Sequence, residues 1–169
     1  MPLTMYKLSV PVFLRGLTVL STLVEKAETH AQARNIAPEV LINARLYPDM
    51  LPFSAQIQRV SDTSKNAIGR LTGTTPPSFP DEEKTFAELK ERISNTISYL
   101  QTVSEADLDG TDTRQLTLNV GKLKVDFTGE DYLLKFALPN FFFHVATAHD
   151  ILRHNGVEVG KRDYLGPYD

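Results

Sequence analysis

This sequence predicts an all-α, antiparallel four-helix bundle with a small β-hairpin inserted between its third and fourth long helices. Three observations lead there. Four segments repeat apolar residues at alternating spacings of three and four, the period of a helix with one buried face. One stretch, between the third and fourth of them, switches to strict alternation about Gly121-Lys122. The connections are short except one, as in a bundle. With 169 residues, 41% hydrophobic and 23% charged, residues 1–169 read as a single globular domain with room for a sizeable core.

In the first helix Phe13, Leu17, Leu20, Val24, Ala27 and Ala31 form the stripe. Ser9 is the expected N-cap, Pro11 falls in the first turn, and the helix runs to about Arg34. Pro38 opens a brief helical stretch from Glu39 to Arg45. The second long helix begins around Tyr47-Pro48-Asp49-Met50, buries Phe53, Ile57, Val60, Ser64, Ala67 and Leu71, and ends at Gly73, a C′ glycine. Thr74 to Pro80, with three prolines, is an extended crossing loop. Thr85 and Glu88 have capping-box spacing, and Leu89, Ile93, Ile97 (or Thr96), Leu100 and Val103 follow as the third stripe. Leu116, Leu118 and Val120, then Leu123, Val125 and Phe127, alternate as two strands, which must lean on the helices because an isolated hairpin is marginal in water. The last helix starts near Thr128 or Gly129 and continues through Leu133, Ala137, Asn140, His144, Ala148 and Ile151 to Gly156, with Pro139 bending or interrupting it. The tail from Val157 carries Lys161 and Arg162 and is expected to dock across the bundle end.

Composition excludes several chemistries. Eighteen Lys and Arg against 21 Asp and Glu give a net charge of −3, the wrong balance for nucleic acid. Without cysteine there is neither a disulfide framework nor a thiolate metal site. No signal-peptide pattern and no uninterrupted apolar run of about 20 residues is present, so the chain reads as cytoplasmic, with no membrane partner. Phosphate loops, dinucleotide glycine patterns, serine elbows and metalloprotease motifs are absent.

The chemistry therefore concentrates on the last helix. Asn140 and His144, four apart, share its inner face, and buried polar groups must find partners or line a wet cavity. One reading is a small-molecule pocket lined by Asn140, His144 and Phe141 to Phe143. The other is a structural histidine satisfied by a carbonyl or carboxylate. His149 lies about 140° further round the helix and cannot share a metal with His144. His154 and Arg153 suit a helix C-terminus, and His30 is expected to be solvated. Asp49 is placed to cap the second long helix. Asp62 is expected to be exposed, Gln56 and Gln58 to stand near Ile57, and Asp81-Glu82-Glu83 to complement a helix dipole.

Tyr47-Pro48-Asp49-Met50, Asn140-Phe141-Phe142-Phe143-His144, Ile151-Leu152-Arg153-His154-Asn155-Gly156 and Lys161-Arg162-Asp163-Tyr164-Leu165-Gly166 together resemble an uncharacterised domain-of-unknown-function branch of the DinB/YfiT-like superfamily. The resemblance covers nearly the whole chain and the order of its elements. It implies a DinB-like bundle with one long crossover, commonly a homodimer. Many members bind a divalent metal through one histidine on the second helix and an H-x-x-x-H pair on the last, and some relatives are thiol-dependent transferases or isomerases. Here His144 matches the later histidine of the pair, Asn140 stands at the earlier one, and the second helix offers only Asp49 or Gln56. One imidazole with an amide and a carboxylate is a poor zinc or nickel set, so metal and cofactor remain unassigned.

The expected site thus uses His144 as acid/base, Asn140 as an orienting or oxyanion group, and Asp49 to orient the imidazole. Two alternatives stand beside it: a non-catalytic, dimeric binding protein with a structural His144, and a divalent-metal-dependent enzyme of the DinB type.

Overall fold

The computed structural model describes residues 3–168. Helix α1, Met5–Ala33, starts earlier than predicted, because Thr4 is its cap and accepts from the Lys7 N–H. Ser9 is buried inside the helix, where its hydroxyl donates to the Met5 carbonyl. Pro11 is likewise interior but faces solvent. Over an 18-residue window α1 is apolar enough to cross a bilayer (mean hydropathy 1.4), yet half of that window is buried in the core. After the short α2, Pro38–Ile42, residues 43–52 form a folded loop. Helix α3, Phe53–Thr72, starts only after Pro52, whose ring disfavours helical backbone before it. The expected start at Tyr47 to Met50 is therefore too early, and Asp49 sits exposed in the loop instead of capping a helix. Gly73 takes the left-handed conformation that ends α3. Helix α4, Phe86–Gln101, opens with the predicted Thr85–Glu88 capping box.

Strands β1, Gln115–Val120, and β2, Leu123–Thr128, pair antiparallel, Leu118 opposite Val125 and Val120 opposite Leu123. The hairpin leans on the bundle through buried Leu118 and through Phe127, which meets Tyr132 edge-on and Phe136 at a tilt. The final helical run comprises α5, Gly129–Tyr132, a π-helical turn, Leu133–Ala137, and α6, Leu138–His154. The wider turn lies immediately before Pro139, where a regular helix would lose a donor and crowd a carbonyl, so the proline is accommodated without ending the run. A short α7, Lys161–Leu165, closes the chain.

The long helices α1, α3, α4 and α6 surround one core in which Phe13, Phe53, Phe141, Tyr132 and a set of leucines and isoleucines are fully buried. Their order around the bundle is α1, α4, α3, α6. The segment between α3 and α4 runs back beside α3. Pro76 comes against Gly69, the Pro77 carbonyl reaches Lys65, Asp81 reaches Arg59 and Glu83 reaches Gln58. Helix α4 therefore starts beside the beginning of α3 and runs parallel to it. Lys90 meets Glu28, so α4 is antiparallel to α1. Tyr132 meets Arg70 and Asn140 meets Thr63, so α6 is antiparallel to α3. The bundle is up-down-down-up, not antiparallel throughout, because the crossover spans the length of α3. Helices α1 and α6 approach closely where Phe141 lies over Gly16 and edge-on to Phe13, 4.9 Å between ring centroids.

Candidate functional site

Helix α3 presents polar side chains on two flanks. Toward α6, His144 Nδ1 is 2.7 Å from Gln56 Oε1, while Gln56 Nε2 donates to the Leu51 carbonyl at 2.9 Å. An amide whose nitrogen is committed to a carbonyl must offer its oxygen to the ring, so His144 carries its proton on Nδ1 and leaves Nε2 as an acceptor. Among the described residues Nε2 has no hydrogen-bond partner, and it is not sealed from solvent. Burial, helped by the charge of Arg59, lowers the His144 pKa to about 4. Seven residues along α3, Thr63 accepts from Asn140 Nδ2 at 2.8 Å.

Toward α4 and the crossover, α3 contributes to a denser cluster. The Arg92 guanidinium, 1% exposed, contacts Glu83 at 2.7 Å, Asp62 and Asp81 at 3.0 Å each, and the Pro80 carbonyl. Lys65, 3% exposed, donates to the Pro77 carbonyl, lies 3.3 Å from Asp62 and sits 4.0 Å from the Phe79 ring centroid. Arg59 joins Asp62 and Asp81. Three cations thus face three carboxylates. Burial lowers the Lys65 pKa against the pull of Asp62. Burial also pushes the Glu83 carboxyl upward, but hydrogen bonds from Arg92 and Gln58 outweigh it and leave that carboxyl below its ordinary range.

A model of the domain of unknown function DUF1993 matches residues 5–165. The chain belongs to the DUF1993 family. The fold is also that of a DinB family member protein from Shewanella denitrificans, whose crystal structure is 42% identical to this chain. The two superpose with a TM-score of 0.89 over 97% of this chain and 94% of that one. Comparison with curated proteins gives no match.

In this DUF1993 protein the expected site is only partly assembled. Asn140 and His144 do share a face, but that face meets α3, and each engages its own partner. Asp49 is exposed, and Gln56 occupies the position on the imidazole that Asp49 was expected to take. The three phenylalanines do not line one cavity. Successive helical residues point about 100° apart, so Phe141 is buried, Phe142 packs edge-on against it, and Phe143 is 56% exposed. Among the described residues, five cavities of about 230 to 710 Å³ have linings that do not include His144 or Asn140.

The three-histidine metal that the superfamily resemblance implies does not fit these residues. Nδ1 of the one matching imidazole is held by Gln56, and Asn140 is engaged with Thr63. No group of three or more His, Cys, Asp or Glu converges among the described residues. Elsewhere, His149 Nε2 holds the Gly160 carbonyl at 3.1 Å and anchors the tail, and His30 is half-exposed.

Sequence reasoning missed the α4 flank. Asp62 is half-buried and central to the cluster, and Glu83 pairs with Arg92 instead of serving only a dipole. The signal for it was faint. Asp62, Lys65 and Ser61 lie within one turn of α3, next to the apolar stripe and opposite an acid-bearing crossover.

Proposed function

We propose that this DinB-type protein is a metal-independent binding protein that recognises a small ligand at the α3–α6 seam, with His144 Nε2 accepting a hydrogen bond from the ligand. The observation that carries this reading is the chain of contacts from the Leu51 carbonyl through Gln56 to His144, which leaves a solvent-reachable imidazole nitrogen with a lone pair. An imidazole with a pKa near 4 is neutral at pH 7. It is a poor general acid and a weak base there, because proton transfer is most effective near the working pH. A binding role therefore fits the ring better than acid/base catalysis.

A second reading is supported by the exposed apolar side chains Leu51 and Phe143, which adjoin the same contacts: this end of the seam meets a second copy of the chain as a homodimer. Fragment screening by ligand-observed NMR separates the two, run on wild type and His144→Ala with light scattering in parallel. Binding of hydrogen-bond-donating fragments that is lost in the variant, with mass and thermal stability preserved, is the expected result. A monomeric protein whose fragment binding ignores the substitution would sink both readings.

A further inference from the structure

Away from the seam, a cavity of about 710 Å³ lies between the middle of α1 and the tail, within the range of small-molecule clefts. Its lining includes Thr18, Val19, Thr22, Arg162, Pro167 and Tyr168, none of them from α3 or α6. The tail is built against α1 rather than draped over it. Lys26 pairs with Asp163 at 2.7 Å, the Gly160 N–H donates to that same carboxylate, and Arg15 donates to the Leu165 carbonyl. Gly166 has φ +71°, and a Cβ there would fall 2.9 Å from Val19 Cγ2, so glycine is what lets the tail come this close.

The charges in this groove do not cancel. Asp163 is answered by Lys26 and a backbone N–H, and together these hold its carboxyl below the ordinary range. The Arg162 guanidinium has no hydrogen-bond or ion-pair partner among the described residues, its carbonyl alone accepting from the Gly166 N–H, and Arg15 stands 5.7 Å from the Tyr168 ring centroid. In a chain of net charge −3, the Arg162 guanidinium therefore lines, and Arg15 stands beside, a groove whose one lining carboxylate among the described residues is already neutralised. Its remaining surface combines Thr18 and Thr22, whose hydroxyls are hydrogen-bonded back to α1 carbonyls, with Val19, Pro167 and the Tyr168 ring.

We infer that this groove binds a small organic anion, its carboxylate or phosphate on Arg162 and its apolar body against Val19, Pro167 and Tyr168. The test is calorimetric titration of the full chain with three probes: benzoate, phenyl phosphate and inorganic phosphate. At least one aromatic probe is expected to bind saturably, about tenfold more tightly than inorganic phosphate, and about tenfold more weakly to Arg162→Gln, the loss of one charge-assisted contact. Whichever of benzoate and phenyl phosphate binds more tightly identifies the head group. Arg162 is exposed, so the variant is expected to fold, and circular dichroism checks that it does. Tyr168→Ser should weaken the aromatic probes and leave inorganic phosphate unchanged. Absence of saturable binding by every probe, or equal affinity in Arg162→Gln, would overturn the site. Inorganic phosphate binding as tightly as phenyl phosphate would overturn the apolar half of it.

Discussion

The two polar flanks of α3 teach different lessons. On the α4 side, Arg92, Lys65 and Glu83 are buried beneath the more exposed Asp62, Asp81 and Arg59, and nearly every one has several partners: Arg92 alone engages three carboxylates and a carbonyl. That flank fastens the crossover, and with it the direction of α4. Only Arg92 Nε is left without a hydrogen bond among the buried side-chain atoms described. On the α6 side the contacts are few and neutral, and the imidazole keeps an acceptor free. Saturated networks fix structure, whereas an unsaturated, solvent-reachable group is what a ligand can use. Arg59 joins the two flanks, since it pairs with Asp62 and Asp81 and its charge adds to burial in depressing the His144 pKa.

The contrast can be broken most forcefully at Arg92. Arg92→Met leaves the buried Glu83 carboxylate without its cation, while Asp62 keeps Arg59 and Lys65, and loss of one member of a buried ion pair costs about 3–5 kcal/mol. Urea denaturation should register a drop of that order, and a loss below about 1 kcal/mol would show the crossover to be held by packing instead. His144 gives a smaller effect with a distinctive pH signature. Its folded-state pKa, about 4, lies below the ordinary 6.5. Between those values the unfolded chain binds the extra proton, so stability is full above pH 6.5 and falls as the pH drops toward 4. Between pH 6.5 and 5, above the carboxylate range, wild type should lose stability and His144→Ala should not. Parallel slopes in the two proteins would refute the buried neutral ring. The smallest effect belongs to Asp49: exposed and outside both flanks, Asp49→Ala should change stability by less than about 0.5 kcal/mol and leave fragment binding at the seam intact.

Much of the architecture was legible before any coordinates. The four stripes mark the four long helices, Gly73 and the Thr85–Glu88 pair mark two of their ends, and the change of period marks the hairpin. The errors fall where proline or capping chemistry competes with periodicity. Thr4 caps α1 in place of Ser9, Pro52 delays α3, and a π turn carries the chain past Pro139. At the candidate site the four-residue spacing of Asn140 and His144 was readable, but their partners were not. Gln56 and Thr63 lie 88 and 77 positions away in the chain, and no local pattern says which rotation of α6 faces them.

By itself, then, the sequence determined where the four long helices lie apart from some of their ends, which face of each is apolar, and that α3 carries no histidine, because periodicity, capping and composition act over a few neighbouring residues. Only the tertiary structure decided that α4 runs parallel to α3, that Asp62 and Glu83 are bound up with Arg92, and that Gln56 rather than Asp49 holds the imidazole. Those outcomes depend on the path of a crossover and the relative rotation of packed helices, where desolvation and charge pairing among residues distant in sequence set the energies.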